Sequence, residues 1–346
     1  MNRPSAIMIK TTSLLLITFL VLLCSNGCKQ CNSSKVNTDE VVDTSISKPI
    51  RDMNAAIKKD SINPMLYFKR AKIHEAENDL KSALTDMFIA ITLDSLNHDY
   101  YTYSSELFIK SNEPKRAIML MNQALILDSS YIPFYIYAGK YAFYVKDYDG
   151  ALKYFNRAIE KDMFAPETYY YKGMVYKEKG DTTKALSSFQ TCVEQDPKNA
   201  DAFLQIGLLL QNKKDKMAQK YLDNAVKANP KAVDALYAKG YGEQDAKQYE
   251  QSIVTFRQII ERDYKNEEAL YAIGYSYLMM DSIPQAYKNF DLAIKIDPTY
   301  HEAYYKKGVC AEQLKRIEEA KSLYQQCLNI NSKYELAQKA LKRLSK

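Results

Sequence analysis

Residues 166–199 read PETYYYKGMVYKEKGDTTKALSSFQTCVEQDPKN. A bulky Tyr169 is followed four places later by Gly173, then by Tyr176, Ala185, Phe189 and Cys192, and the block closes on Asp196-Pro197. The same order recurs on both sides. A small residue stands at Ala71, Ser105, Gly139, Gly173, Gly207, Gly240, Gly274 and Gly308, at intervals of 34 except for one of 33 after Gly207. A second series runs Ala83, Ala117, Ala151, Ala185, Ala218, Ser252, Ala286, Ala320, and a third runs in step from Ala56 to Cys327. An acid or amide follows each member of the third series by four residues, from Asp60 to Asn331. Three series in register over eight units make a tandem repeat the architecture of the chain.

The composition agrees. Ten glycines and ten prolines in 346 residues are about half of the roughly 40 that average usage gives, so long helices dominate. Each block holds two amphipathic helical patterns with a polar turn between them. In the third unit the spacing predicts a helix over 133–146, a turn at Asp147-Tyr148-Asp149-Gly150 and a second helix over 151–161. The small residues belong where two helices cross, since a larger side chain at a tight crossing costs about 1–3 kcal/mol by overpacking. One helix pair buries too little surface alone, so stability must come from stacking neighbours.

The pattern resembles the tetratricopeptide repeat, on the residues quoted for the fourth unit and on Leu270, Gly274, Tyr277, Ala286, Phe290, Ala293, Asp297 and Pro298 of the seventh. The resemblance implies an all-α chain: an α-solenoid of eight stacked helix-turn-helix units over 64–334, wound as a right-handed superhelix. Residues 48–63 and 335–346 are expected to form N- and C-terminal capping helices, which solenoids need for solubility. Two units depart from the pattern. The sixth has Glu243, Ser252 and Ile259 at three signature places, and the fifth is one residue short between Gly207 and Ala218, which predicts a tighter turn.

The resemblance also implies that the first helix of each unit lines a concave groove. Ligands there contact residues one and five places after the bulky signature residue. The candidate partner-binding groove is then Tyr170, Met174, Tyr237, Tyr241, Tyr271, Tyr275 and Tyr305. Tyrosine, with 29 copies against no tryptophan, suits a binding surface because it offers wide apolar area and a hydroxyl at low entropy cost. The competing reading is that these rings pack between units. Acids at Asp99, Glu167, Asp201, Asp234, Glu268 and Glu302 fall in first turns, where negative charge offsets the helix dipole.

The N-terminus reads as an address. Arg3 and Lys10 precede an apolar run over 14–23, the pattern of a secretory signal, and the run is short of the ~20 residues that span a bilayer. The stretch Leu22-Leu23-Cys24-Ser25-Asn26-Gly27-Cys28 resembles a bacterial lipoprotein signal. Residues 1–27 are expected to be cleaved and Cys28 lipidated, with Cys24 as the alternative. Residues 28–47 are polar and predict a flexible tether reaching about 24 Å.

Catalytic signatures are missing from the sequence: no H-E-x-x-H, G-x-S-x-G or glycine-rich phosphate loop occurs, and His74, His98 and His301 lie far apart. No metal or cofactor is expected. The net charge of +6 is spread along the chain, a poor footprint for nucleic acid. The expectation is a non-catalytic interaction scaffold, lipid-anchored in the bacterial cell envelope on the outer membrane and facing the periplasm, with a protein or peptide in its groove. The alternative is a glycan- or small-ligand-binding envelope lipoprotein using tyrosine platforms, against which the absence of tryptophan counts.

Overall fold

A computed structural model describes residues 47–345. The signal segment, Cys24, Cys28 and residues 28–46 of the tether lie outside the described residues. The chain divides into two units, Met1–Arg51 and Asp52–Lys346. Of the first, the described residues 47–51 carry the start of helix α1 (Lys48–Lys59). The repeats all belong to the second.

Among the described residues there are eighteen helices and no strand. After α1 they run as pairs, one pair per repeat: α2 (Pro64–Ala76) and α3 (Leu80–Leu93), α4 (His98–Lys110) and α5 (Pro114–Leu127), α6 (Ile132–Tyr144) and α7 (Tyr148–Lys161), α8 (Pro166–Glu178) and α9 (Thr182–Gln195). The series continues with α10 (Ala200–Asn212) and α11 (Ala218–Ala228), α12 (Val233–Asp245) and α13 (Tyr249–Ile260), α14 (Glu267–Met279) and α15 (Ile283–Ile296), α16 (His301–Gln313) and α17 (Ile317–Ile330), and ends on α18 (Glu335–Leu344). From α2 to α18 each helix packs on its neighbours in sequence, so the second unit is an all-α solenoid.

The small-residue series lies at the crossing within each pair. A Cβ added to Gly173 would stand 2.6 Å from Cε1 of Phe189, a wholly buried ring. Gly274 and Phe290 repeat the arrangement. Burying such a ring contributes about 1.5–3 kcal/mol, and it fits only because the facing helix carries no side chain there.

The turn inside each pair differs in part from the expectation. In the third unit α6 ends at Tyr144 and α7 begins at Tyr148, three residues before the expected start at Ala151. The reason is local. Lys146 takes a left-handed conformation (φ 61°) that stops the first helix. Asp147 then caps the second, its side chain accepting the Gly150 N–H at 3.0 Å. The device recurs: Asn78, Asn112, Lys146, Gly180, Lys214, Lys247, Asp281 and Lys315 all have positive φ. The next residue's N–H reaches back five places, as from Asp181 to the Tyr176 carbonyl at 2.9 Å, which is the bond that closes a Schellman turn.

In the fifth unit the left-handed turn at Lys214 and its five-place bond are kept, and the missing residue falls in the first turn of the second helix, which begins only at Ala218. Ala218 donates to the Asp215 carbonyl three places back at 3.0 Å, whereas Ala151 donates four places back to Asp147. In the sixth unit Glu243 occupies an aromatic place and is buried, accepting the Thr255 hydroxyl proton at 2.7 Å. Beside it Ser252 and Ser276 pair at 3.0 Å, and Gln244 donates to Ser276 at 2.8 Å. Polar residues break the signature here because they satisfy one another.

Candidate functional site on the first helices

Successive first helices meet along one face: α6 with α8, α10 with α12, α12 with α14 and α14 with α16. Side chains stitch the face together. The Tyr237 hydroxyl donates to Asn266 Oδ1 at 2.5 Å and the Tyr241 hydroxyl to Glu268 Oε1 at 3.0 Å, each crossing to the next unit. Lys177 donates to Gln205 at 2.7 Å in the same way. In the first units Tyr103 and Lys110 both donate to Glu75.

All seven candidate residues are half-buried on this face. Each tyrosine but Tyr275 sets a ring against the buried aromatic of its own second helix. Tyr170 lies 5.8 Å from Phe189, Tyr237 and Tyr241 lie 6.0 and 5.2 Å from Phe256, Tyr271 lies 5.4 Å from Phe290, and Tyr305 lies 5.6 Å from Tyr324. Met174 packs on the Phe189 cluster. The rings pack mainly on the second helix of their own unit and each keeps part of its surface exposed. Burial pushes the Tyr170 and Tyr237 hydroxyls up to about 12. Tyr241 is raised by burial and then by the charge of Glu268, and Tyr271 by burial and then by its tyrosine and glutamate neighbours. These hydroxyls stay protonated at neutral pH, and those of Tyr237 and Tyr241 act as donors.

The structure joins some of the seven and separates others. Tyr237 stacks on Tyr241 at 6.0 Å and 16°, and Glu268 links that pair to the next unit. Tyr271, Tyr275 and Tyr305 form a second group, into which Tyr300 and Tyr334 bring rings at 5.0 Å from Tyr271 and 5.4 Å from Tyr305. Tyr170 and Met174 stand apart, because the fifth unit between them and Tyr237 places Leu204 and Leu208 at the equivalent positions. Sequence reasoning missed Tyr300 and Tyr334. Their signal is positional: each stands at the N-cap of the helix it precedes, as Tyr131 does.

Two depressions also lie on the earlier units. One, of about 310 Å³, is lined by residues including Thr102, Ile136, Tyr137, Lys140 and Glu167. The other, of about 440 Å³, is lined by Lys72, Glu75, Leu80 and Lys110 among others. Among the described residues no group of three or more His, Cys, Asp and Glu side chains is placed to hold a metal ion. Cys192, Cys310 and Cys327 are buried free thiols, raised by burial to about 12, 12 and 11.

Two stretches match the sequence pattern described as tetratricopeptide repeat, residues 166–199 and 301–334. The C-terminal part of a TPR repeat-containing protein from Cytophaga hutchinsonii matches 70% of this chain and 99% of its own at 17% identity, with a TM-score of 0.59. The fold is a tetratricopeptide-repeat solenoid. A tetratricopeptide repeat protein from Parabacteroides merdae matches at 17% identity over 72% of this chain and 98% of its own, with a TM-score of 0.47. YrrB, described as a TPR protein with an unusual peptide-binding site, matches at 27% identity over 55% of this chain and 98% of its own, with a TM-score of 0.42. No curated protein sequence matches.

Proposed function

We propose that this tetratricopeptide-repeat solenoid is a non-catalytic scaffold that holds a segment of a partner protein on the face of its first helices. The observation that carries the reading is the row of half-buried tyrosines, packed against their units and still partly exposed. Such residues bury large area at little conformational cost when a partner covers them. The same reading places the scaffold in the bacterial cell envelope, held at the outer membrane by a lipid on Cys28 and facing the periplasm. Its support is the N-terminal sequence alone.

A cross-linking pull-down from the native envelope tests the scaffold, with the intact chain beside a variant carrying Tyr237→Ala, Tyr241→Ala, Tyr271→Ala and Tyr275→Ala. Circular dichroism checks that the variant folds. A protein recovered with the first and lost with the second supports the reading, and equal recovery from both refutes it. Mass spectrometry of the mature N-terminus tests the anchor: a lipidated Cys28 supports it, and an unmodified N-terminus elsewhere refutes it.

A further inference from the structure

From α8 to α16 three repeat-equivalent places share the first-helix face. Two places before the bulky signature residue stand Glu167, Asp201, Asp234, Glu268 and Glu302. The places one and five residues after it carry tyrosine, leucine, methionine and valine and no charge. An acidic rail beside an uncharged aromatic floor is a marked local bias in a chain with 48 basic and 42 acidic residues. First-turn acids offset the helix dipole wherever they point. Some of them also meet the tyrosines: Glu268 accepts from Tyr241 at 3.0 Å, the charge of Asp201 reaches Tyr170, and the charges of Glu268 and Glu302 reach Tyr300.

The same face already shows what it does with cations. Lys140 lies 5.4 and 5.0 Å from the Tyr137 and Tyr171 ring centres and meets Glu167 at 3.1 Å. Lys306 lies 5.2 and 5.9 Å from the rings of Tyr275 and Tyr305. An ammonium within about 6 Å of an aromatic face is held by the ring quadrupole. At both ends of the stretch the chain seats its own lysine on paired rings. Between them Asp201, Asp234 and Glu268 are exposed, and no cation of the described residues pairs with any of the three.

We propose that the segment held between Lys140 and Lys306 is an extended basic peptide. Its lysine or arginine side chains meet Asp201, Asp234 and Glu268, and its apolar side chains cover the tyrosine and leucine floor. The inference rests on the scaffold reading and adds the chemistry of the partner. Packed helix axes stand about 8–10 Å apart and an extended chain advances about 3.3 Å per residue, so the basic residues recur at about every third position.

The test is fluorescence anisotropy with the purified full chain and three labelled twelve-residue peptides, repeats of Lys-Leu-Tyr, Ser-Leu-Tyr and Glu-Leu-Tyr. The lysine peptide is expected to bind tightest, with an affinity that falls as salt rises. The variant Asp201→Asn, Asp234→Asn, Glu268→Gln is expected to weaken it roughly tenfold, as three exposed charge pairs would. A second variant, Asp201→Lys, Asp234→Lys, Glu268→Lys, is expected to turn the preference to the glutamate peptide. Equal binding of all three peptides, or of the lysine peptide by all three proteins, overturns the inference and leaves the scaffold reading standing. Binding of none overturns it as well, and the envelope pull-down then decides the scaffold reading separately.

Discussion

Lysines 146, 214, 247 and 315 each hold a left-handed conformation between the two helices of a repeat, with φ of 61, 56, 60 and 64°. An L-residue with a Cβ costs roughly 1–2 kcal/mol there. The side chains are exposed and make no ion pair or side-chain hydrogen bond among the described residues. The backbone bonds, such as Lys146 N–H to the Phe143 carbonyl at 2.9 Å, need only the peptide group. Replacing these lysines by glycine therefore removes strain and no contact. Part of the gain is lost because glycine frees the unfolded chain, by about 0.4–1 kcal/mol. The net stabilisation is about 0.5–1 kcal/mol per site. The four sites lie in different repeats, so the effects add to about 2–4 kcal/mol, a rise of roughly 4–8 °C in thermal midpoint. The reverse substitution is built into the molecule: Gly180 sits at φ 76° with nothing within 4 Å of a built Cβ. Gly180→Lys is expected to lower the midpoint by a similar amount per site, since the added strain is offset in part by a less free unfolded chain. Thermal unfolding followed at 222 nm measures all five changes. A quadruple variant no more stable than the parent, or a Gly180→Lys variant as stable as the parent, would refute the argument from backbone strain.

Burial sets three further outcomes. Phe189→Ala empties the space that Gly173 leaves for the ring and is expected to cost about 3–5 kcal/mol, read by urea unfolding; a loss under 1 kcal/mol would show that the crossing closes up. Burial raises the Glu243 pKa above its unfolded value of about 4.3, so the folded protein binds the proton more tightly. That penalty on stability grows as pH rises through this window and persists above it. Glu243→Gln is thus expected to raise stability at pH 8 more than at pH 4, and the opposite order would mean that the carboxylate's ion pair with Lys239, at 3.8 Å, outweighs its burial. Cys192, Cys310 and Cys327 are expected to resist a thiol reagent at pH 8 in the native chain and to react once it unfolds, since burial keeps them protonated and covered; peptide mass spectrometry identifies the labelled sites, and native labelling of Cys192 would contradict its position at the helix crossing.

Much of the architecture was open to reading because a repeat states its pattern eight times. Gly173 and Phe189 mark one crossing, and Gly274 and Phe290 mark it again. The helix ends were less open. Alanine periodicity locates a buried face and says little about where the helix begins, so the Ala151 start missed the three residues that Asp147 caps. The seven groove positions were legible as places in a repeat. Which of them act together was not, because that depends on residues about thirty places apart. Leu204 and Leu208 divide Tyr170 from Tyr237, while Glu268 ties Tyr241 to the next unit. Tyr300 and Tyr334 reach the face from the turns, outside the helical period that located the others.

Local spacing by itself determined the helix pairs, their number and order, and the small residues at their crossings, because each is fixed by contacts within about one repeat length. Only the stacked structure decided how far each tyrosine is buried, which carboxylates lack a cation and which lysines already rest on rings. Those properties belong to pairs of residues brought together by neighbouring units, and stacking sets their distances.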